Sequence, residues 1–581
     1  MKNEPANTSR LDVGDTLFEQ GRLTERQLEL VRHRQRRLHS SQHRAILDLG
    51  YLPETDIWRT LATAHGLEFV DLDTREFSRE ELDSVPLKVL LHFRTLPIGT
   101  DDDGVILAFA EPPRQADLAS LRMLLNRRIK VVLTTPAAIQ NVIKNRFGLG
   151  AETVERLREE RGPGDASPDV VFDVQTSSSP DSAKAAVDAT IADFVDQIVA
   201  DAIRQRATDI HLEPYYSAIR LRYRIDGVLQ VVPVPPGLRE LHAAIVSRLK
   251  IMAGMDISER RLPQDGRISL KTETEEYDFR ASVIPTKHGE SICLRILGRH
   301  SLLVDLAQLG MEPDQETAMR ELTLLPQGMI LLTGPTGSGK TTTLYAALAH
   351  ANDEGRKIIT IEDPVEYQLE GISQIQIHED IGLTFSNGLR SVLRHDPDVV
   401  LIGEIRDAET AEIAVRSALT GHLVLSTLHT NDSISAVTRL LEMRIEPFLV
   451  ASSLICSIAQ RLAQRLCRHC LAPDPQITDS LRAEMAASLH IHPADARAFH
   501  GSGCHECGGR GYRGRVAIYE FFKLSDDVAD LIVPGVRTGQ LREAARLEGW
   551  RSLREIGWSK VQGGMIATSE QRRLTHRLTI G

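Results

Sequence analysis

A glycine-rich segment with the spacing G-x-x-x-x-G-K-[ST] runs from Gly334 to Thr341. The apolar residues 329–332 precede it as a buried parallel strand would, and residues 342–348 continue it as a helix. In such a loop, backbone N–H groups and the positive end of the helix dipole bind phosphate oxygens. The lysine reaches the β- and γ-phosphates, and the threonine hydroxyl ligates Mg²⁺. The sequence therefore predicts a site for a nucleoside triphosphate with Mg²⁺. The candidate residues are Gly334, Pro335, Thr336, Gly337, Ser338, Gly339, Lys340, Thr341 and Thr342.

Acidic residues follow two further apolar runs that read as strands. The first run leads into Glu362, Asp363 and Glu366, and the second leads into Glu404. Ligands of open α/β sheets bind at the carboxyl ends of the strands, so we expect these carboxylates to face the phosphate loop. We predict that Glu404 polarises the attacking water. Glu362 and Glu366 are further catalytic candidates, and Asp363 is a candidate contact for Mg²⁺. The alternative, glutamates that only end strands, is disfavoured by the neighbouring phosphate loop.

Two histidines bracket the next apolar run. His422 precedes residues 423–427 and His429 follows them closely. A histidine at a strand end beside a phosphate site would hydrogen-bond the γ-phosphate. Histidines satisfied by hydrogen bonds in the core are an equally weighted alternative.

Two arginines lie in segments in which polar and apolar residues alternate, one segment on each side of a turn at residues 287–289. If that turn closes a hairpin, Arg280 and Arg295 fall opposite each other on its polar face. Adjacent guanidinium groups repel unless they share an anion. Solvated arginines paired with acidic residues are an equally weighted alternative.

Four cysteines form two C-x-x-C pairs, Cys467 with Cys470 and Cys504 with Cys507. Each pair supplies two thiolates from one tight turn, which is a strong signal for tetrahedral Zn²⁺. The insert between the pairs is longer than in the usual zinc ribbon, so we expect the metal to tie together a subdomain. Four thiolates leave no open coordination position, which predicts a structural metal. The alternative ligands are His469 and His505.

The bulk composition narrows the class of protein. The 581 residues suffice for roughly three to four domains. A net charge of −11 and a sequence pI of about 6.0 argue against a broadly basic nucleic-acid binder. No apolar stretch approaches the ~20 residues that span a bilayer, and residues 1–5 lack the apolar core of a secretory signal. We therefore expect a cytosolic protein.

Changes in composition divide the chain into five segments. Residues 1–149 read as an N-terminal α+β domain, and residues 150–188 as a flexible linker. Residues 189–300 read as a second α+β module, and residues 301–460 as the nucleotide-binding domain. Residues 461–581 carry the four cysteines and a helical tail. The predicted fold class is α/β and multidomain.

Six motifs in the region from Thr208 to the C-terminus resemble those of the secretion ATPase superfamily. More narrowly, they resemble the type II secretion assembly ATPases and the related type IV pilus extension ATPases. The motifs are TDIHLEP (208–214), ERRLPQDGR (259–267), the phosphate loop, TIEDPVE (360–366), GEIRD (403–407) and TGHLVLSTLHTND (420–432).

The resemblance implies a RecA-like ATPase core preceded by a PAS-like module, and a homo-hexameric ring that binds ATP between them. It implies that Arg280 and Arg295 reach the nucleotide, with Arg261 and Arg267 as further interface candidates. It also matches Glu404 to the family's essential glutamate. The remaining matches are His422 and His429 to γ-phosphate-sensing histidines, and the four cysteines to a structural zinc subdomain.

The N-terminal domain at residues 1–149, called the first block below, departs from related N-terminal modules. Those modules bind cyclic di-GMP through a repeated R-L-G-x-x-L-[VI]-x-x-G motif. The two corresponding slots, residues 12–14 and 41–43, read DVG and SQH, so both arginines are missing. We therefore expect a docking module for the inner-membrane platform protein, which places the chain at the cytoplasmic face of the inner membrane.

The expected function is ATP hydrolysis that drives pseudopilus assembly in type II secretion. A type IV pilus extension motor shares every motif and is the nearest alternative. A nucleic-acid translocase is disfavoured by the acidic charge and by an aromatic content of only 4%. A scaffold that binds ATP without turnover is disfavoured by the intact Lys340, Thr341 and Glu404.

Overall fold

The structure is a computed structural model that describes residues 13–38, 41–72, 75, 77–101, 104–154, 181–271, 276–298 and 305–575. The chain forms two compact units. The first contains the residues up to 268 together with 279–296, and the second contains 269–278 and the residues from 297 onward. None of the described helices combines the length and the apolar composition that a membrane span needs.

The N-terminal block combines eight described helices with a four-stranded sheet. The helices are α1 (Val13–Glu19), α2 (Glu25–Leu38), α3 (Gln42–Asp48), α4 (Glu54–Ala64), α5 (Arg79–Asp83), α6 (Leu87–Phe93), α7 (Gln115–Leu125) and α8 (Pro136–Phe147). The strands are β1 (Glu68–Phe69), β2 (Thr95–Asp101), β3 (Gly104–Phe109) and β4 (Arg128–Leu133). The sheet order is β1-β4-β3-β2, with β2 and β3 antiparallel and the other pairs parallel. Leu17, Ile57 and Leu107 lie in the shared core, so this block is an α+β module.

The second module packs two helices on one face of a six-stranded sheet. The helices are α9 (Asp181–Arg204) and α10 (Leu238–Met252). The strands are β5 (Ala207–Pro214), β6 (Ile219–Ile225), β7 (Val228–Val232), β8 (Gln264–Lys271), β9 (Glu276–Thr286) and β10 (Gly289–Gly298), in the order β7-β6-β5-β10-β9-β8. The Tyr223 hydroxyl donates to the carbonyl oxygen of Ile198 on α9 at 2.9 Å. Alternate residues of β5, β6, β9 and β10 are buried against these helices, which leaves the intervening polar residues on the opposite face.

The predicted linker at residues 150–188 is too long at both ends. Helix α9 begins at Asp181, and residues 151–154 are also helical. The Gln197 side chain on α9 donates to the Thr153 hydroxyl at 3.0 Å, so the end of the first block contacts the second module. The central part of the predicted linker, residues 155–180, lies outside the described residues.

The second unit is built on a seven-stranded sheet. Its strands are β11 (Gly328–Thr333), β12 (Ile358–Glu362), β13 (Ser373–Gln376), β14 (Val399–Ile402), β15 (Leu423–Leu428), β16 (Leu454–Leu466) and β19 (Tyr512–Lys523), and a small separate sheet pairs β17 (Leu471–Pro473) with β18 (Phe499–Gly501). The large sheet has the order β13-β12-β14-β15-β11-β16-β19. All neighbouring strands in it are parallel except β16 and β19, which are antiparallel.

Helices cover both faces of this sheet. They are α11 (Pro313–Thr323), α12 (Lys340–Ala351), α13 (Phe385–Val392), α14 (Ala408–Leu419), α15 (Ser435–Glu442), α16 (Pro447–Ser453), α17 (Asp479–Leu489), α18 (Asp526–Ala529), α19 (Thr538–Leu547), α20 (Leu553–Gln562) and α21 (Thr568–Thr575). Alternate residues of β11 enter two different cores, Met329 and Leu331 in one and Ile330 and Leu332 in the other. This two-sided burial explains why the strand reads as a continuous apolar run.

The boundary expected between residues 460 and 461 is wrong, because it falls inside β16. Strand β16 extends the nucleotide-binding sheet, and β19 from the cysteine-bearing region forms its edge. The C-terminal region is therefore partly integrated with the preceding domain.

Candidate active site

The glycine-rich loop joins the end of β11 to the start of α12. Its glycines have φ angles of 147° at Gly334, 78° at Gly337 and 89° at Gly339. A Cβ atom at Gly334 would lie 2.6 Å from the carbonyl oxygen of Gln460, so the close approach of these two strands requires glycine. The hydroxyl of Ser338 is buried and has no hydrogen-bond partner among the described residues. The loop therefore presents polar groups to a ligand in a backbone conformation that suits phosphate.

Lys340 begins α12 and folds back over the loop. Its Nζ donates to the carbonyl oxygens of Gly334 at 2.9 Å and Pro335 at 3.2 Å. Burial lowers the pKa of Lys340, and the negative charge of Glu404 opposes this shift. Lys340 follows β11 and Glu404 follows β14, and β15 lies between these two parallel strands. Both residues therefore lie at the carboxyl ends of strands of one sheet. Thr341 is exposed on the same first turn of the helix.

Glu404 follows β14 at the same edge of the sheet as the phosphate loop. The preceding Gly403 is fixed on both sides, because its N–H donates to Ile361 on β12 and its carbonyl oxygen accepts from the Thr427 hydroxyl on β15, each at 2.8 Å. The Glu404 side chain is 17% exposed. One carboxylate oxygen pairs with Arg406, and the other lies 3.3 Å from Nε2 of His429. Glu404 and His429 therefore lie next to each other at the carboxyl ends of β14 and β15.

Arg406 connects two of the predicted carboxylates. Its guanidinium group binds Glu404 and lies 3.8 Å from Asp363, which is 38% exposed. Arg406 belongs to the GEIRD segment, in which it is the one basic residue between the acidic Glu404 and Asp407.

Glu362 differs from the expectation. Its side chain is buried, and its carboxylate accepts hydrogen bonds from Tyr345, Thr360 at 2.5 Å and Gln374 at 3.1 Å. A carboxylate with three protein donors is not open to water, so the expected direct catalytic role of Glu362 is not supported. Glu366 is half-buried, and its N–H donates to the Tyr345 hydroxyl at 3.3 Å.

His422 also differs from the expectation. It immediately precedes β15, and its carbonyl oxygen accepts from Gly328 at the first residue of β11. The phosphate loop follows the last residue of β11, so the length of a six-residue strand, roughly 20 Å, separates the two. The side chain of His422 instead contacts the carbonyl oxygen of Ser417 at 3.1 Å. The structure therefore does not bring His422 to the phosphate loop of its own chain.

Arg461 is a residue of this site that the sequence analysis missed. It lies on β16, and it donates to the carbonyl oxygens of Gln460 at 3.1 Å and Asn431 at 2.7 Å. Its guanidinium nitrogen would lie 3.1 Å from a Cβ atom at Gly334, so it adds positive charge beside the loop. No local sequence pattern identifies Arg461 as a site residue, because only the pairing of β16 with β11 brings it beside the phosphate loop.

The arginines of the second module lie in the first compact unit. Arg280 and Arg295 lie on the sheet face opposite the buried residues, as predicted. Arg295 forms an ion pair with Asp209 at 3.1 Å, and Arg224 lies 3.6 Å from the same carboxylate. For Arg295, the alternative of an arginine paired with an acidic residue therefore describes this structure.

The four cysteine sulfurs form a compact cluster in which all lie within 4.8 Å of one another. The Sγ–Sγ distances are 3.8 Å for Cys467–Cys504, 3.9 Å for Cys470–Cys507 and 3.7 Å for Cys504–Cys507. Tetrahedral Zn²⁺ with Zn–S bonds of about 2.3 Å requires sulfur separations of about 3.8 Å. Disulfides are excluded because their S–S length is about 2.05 Å. The residues therefore fit a four-thiolate zinc site.

Backbone N–H groups support thiolate character at Cys507. Its sulfur accepts hydrogen bonds from the N–H groups of Cys504 and Gly511, each at 3.2 Å. Burial raises the pKa of Cys507, but these hydrogen bonds outweigh it and lower the pKa to about 7. Such stabilisation of a negative sulfur is expected at a metal ligand.

Comparisons with known proteins agree with the motifs. Residues 184–573 match the family "Type II/IV secretion system protein", and residues 65–153 match the MshEN domain. The type IV pilus assembly ATPase PilB of Myxococcus xanthus is 40% identical over 570 residues, which cover 96% of this chain and 98% of that protein. The type II secretion system protein E of Xanthomonas campestris is 38% identical over 575 residues, which cover 97% of this chain and 98% of that protein. Among solved structures, the pilus retraction motor PilT with bound ADP is 25% identical with a TM-score of 0.43, covering 66% of this chain and 97% of PilT.

Proposed function

Because this chain belongs to the type II/IV secretion system protein family, we propose that it hydrolyses ATP to drive pseudopilus assembly and protein export by a type II secretion system. The observation that carries the proposal is that Lys340 at the start of α12 and Glu404 just after β14 both lie at the carboxyl ends of parallel strands of one sheet. A phosphate-binding lysine and a strand-end carboxylate at that position are the parts that hydrolysis of a nucleoside triphosphate needs.

In this mechanism the loop from Gly334 to Gly339 and Lys340 hold the phosphates. Glu404 orients and polarises the attacking water, while His429 and Arg406 fix the position of its carboxylate. Thr341 and Asp363 would hold Mg²⁺, which neutralises charge on the phosphates when it is bound. Glu366 stays a further candidate for contacting water.

Several finer assignments belong to the same proposal. We assign the second module a PAS-like role in which Arg280 and Arg295 contact the nucleotide, Arg295 after release of its ion pair with Asp209. The active form is a homo-hexamer, and the four cysteines hold structural Zn²⁺. The N-terminal block, supported by its MshEN match, docks on the inner-membrane platform protein at the cytoplasmic face. The domain limits are those predicted from the sequence, with two changes. The linker is shorter, because residues 151–154 and the residues from Asp181 onward are helical. The boundary at residue 460 moves, because that residue lies inside β16.

Type IV pilus extension is the second candidate. The PilB relative, a type IV pilus assembly ATPase, matches nearly the whole chain at 40% identity, and the catalytic geometry serves either process equally. The two functions differ in the partner and the fibre, so a cellular assay distinguishes them.

The biochemical test compares the wild-type chain with Glu404→Gln and with the matched surface control Glu412→Gln. In the wild-type chain the Glu412 carboxylate pairs with Arg416 at 2.7 Å. We expect Glu404→Gln to bind a fluorescent ATP analogue with an affinity within about threefold of the wild type and to hydrolyse ATP at least about 100-fold more slowly. Glu412→Gln keeps both properties. Equal turnover in all three proteins would refute the assignment of Glu404.

The cellular test is complementation of a deletion strain with the wild-type chain or with Lys340→Ala, scoring exoproteins in the medium and pili on the surface. Loss of exoproteins with normal pili, rescued by the wild type alone, supports the secretion motor. Loss of pili with normal secretion transfers the assignment to the pilus motor. Full rescue by Lys340→Ala would overturn ATP hydrolysis as the function.

A further inference from the structure

Tyr345 occupies a junction between the phosphate-loop helix and the acidic segment that follows β12. It lies on α12, the helix that Lys340 begins, and its side chain is 1% exposed. Its hydroxyl donates to Glu362 and accepts from the N–H of Glu366 at 3.3 Å. One hydroxyl therefore joins the helix, the end of β12 and the segment that carries the candidate carboxylates.

The rest of the Glu362 network holds the same segment at its far end. The second oxygen of Glu362 accepts from Gln374 at 3.1 Å. The amide of Gln374 in turn donates to the carbonyl oxygen of Tyr367 at 2.9 Å and accepts from the N–H of Leu369 at 2.7 Å. The chain between Glu362 and Leu369 is thus fixed at both ends, with Tyr345 as its described link to the phosphate-loop helix.

The segment that Tyr345 holds also contacts the residues around Glu404. Asp363 lies within the fixed segment and 3.8 Å from Arg406, which binds Glu404. A shift of the segment would therefore move Asp363 and change the ion pair that holds Glu404. Burial raises the pKa of Tyr345, so the phenol keeps its proton and remains a donor to the Glu362 carboxylate.

We propose that Tyr345 is a positioning residue for ATP hydrolysis, which fixes the segment from Glu362 to Glu366 relative to the phosphate loop through its hydroxyl. This inference rests on the proposed ATPase function. Tyr345 does not itself touch the phosphates in this mechanism. It acts through Glu362 and Glu366, so its loss slows the chemical step and leaves the phosphate loop able to bind nucleotide.

The test uses Tyr345→Phe in the full chain, which keeps the ring and removes the hydroxyl. The matched control is Tyr367→Phe, because the Tyr367 ring packs edge-on against Tyr345 at 5.7 Å and its hydroxyl makes no hydrogen bond to a described residue. Since a lost hydrogen bond to a charged group is worth about 1.5–3 kcal/mol, we expect kcat to fall about tenfold or more in Tyr345→Phe. The Kd for a fluorescent ATP analogue stays within about twofold, and Tyr367→Phe retains the wild-type kcat.

Glu362→Gln provides a second variant, which retains the side-chain volume and removes the charge that accepts from Tyr345. It should show the same fall in kcat with retained nucleotide affinity, so the proposal remains testable if Tyr345→Phe does not fold. An unchanged kcat with a lowered Tm in either folded variant would show a structural hydroxyl and overturn the proposal. Equal loss of nucleotide binding and turnover would also overturn it, because the hydroxyl would then act on the phosphate loop. If the wild-type chain turns over ATP no faster than Lys340→Ala, the proposed function itself fails.

Discussion

His429 Nε2 lies 3.3 Å from Oε2 of Glu404, although the two residues follow different strands of the sheet. The strands β14 and β15 are parallel neighbours, so their carboxyl ends present both side chains at one edge. His422 precedes β15 and lies at the other edge. The two histidines of one motif therefore have different surroundings within the chain.

We expect the two histidines to respond differently to replacement. His429→Ala removes a group that contacts Glu404 and should lower kcat roughly tenfold, the effect of losing about 1.4 kcal/mol of transition-state stabilisation. His422→Ala removes a contact with the Ser417 carbonyl oxygen and should lower stability by about 1 kcal/mol while keeping nucleotide affinity. Steady-state kinetics, analogue binding and thermal melting measure these effects. A larger loss of turnover in His422→Ala than in His429→Ala would contradict the assignment.

The cysteine cluster predicts one tightly held zinc ion per chain. Cys504→Ser removes one of four thiolates and should leave the purified protein with little zinc, as measured by elemental analysis. Cys293→Ser is the matched control, since Cys293 lies outside the cluster. The strands β17 and β18 and the turns that carry the cysteines should become susceptible to protease when the metal is removed by a chelator. Nucleotide affinity should change little, and full zinc content in Cys504→Ser would contradict a four-thiolate site.

Local sequence patterns predicted the parts of the site that lie next to one another along the chain. The apolar run before Gly334 and the glycine spacing suffice to place the phosphate loop, and the run before Glu404 places that carboxylate at the same edge. The position of His422 could also have been predicted, since two histidines on either side of one strand must face opposite ends of it.

Other features depend on contacts between distant segments. Arg461 reaches the loop because β16 pairs with β11, and the burial of Glu362 depends on Tyr345 and Gln374. Strand β19 joins the sheet as an antiparallel edge after a long insertion. Such pairings leave no local periodic signal, which is why the expected boundary at residue 460 cut through a strand.

Glu520 gives the C-terminal region a pH-dependent stability. It is 2% exposed on β19, and its carboxylate accepts from the N–H and hydroxyl of Ser433 and from the N–H of Leu553, which begins α20. Burial raises the pKa of Glu520 more than these hydrogen bonds lower it. The folded state therefore keeps this proton at pH values where the unfolded state has lost it. Stability consequently falls as the pH rises from the ordinary glutamate range through the raised pKa.

Glu520→Gln should remove this part of the pH dependence. The variant loses one acceptor and is expected to be less stable by about 1–3 kcal/mol at low pH, with a deficit that shrinks as the pH rises. In a Trp58→Phe background the remaining tryptophans are Trp550 and Trp558, so their fluorescence reports unfolding of this region. A deficit that is constant with pH would show that Glu520 titrates normally.

The first block is held against the second module by a largely buried ion pair. Lys144 Nζ lies 2.6 Å from Asp201, whose side chain is 7% exposed and also accepts from Gln205 at 2.9 Å. Just beyond α8, the N–H of Leu149 donates to the carbonyl oxygen of Pro233 at 2.8 Å. These contacts argue that the block is docked rather than loosely tethered, and that the docking has a measurable local free energy.

Lys144→Met should weaken this docking, because it leaves a buried carboxylate with fewer partners. We expect a loss of about 1–3 kcal/mol, which corresponds to roughly five- to 150-fold faster hydrogen exchange at the Leu149 amide. Lys130→Met is the matched control, since Lys130 forms an exposed pair with Glu68 at 3.7 Å and such pairs contribute little. Exchange at Leu149 that is unchanged in Lys144→Met would show that docking depends on the apolar contacts and backbone hydrogen bonds alone. Faster exchange in both variants would instead show a general loss of stability in the block.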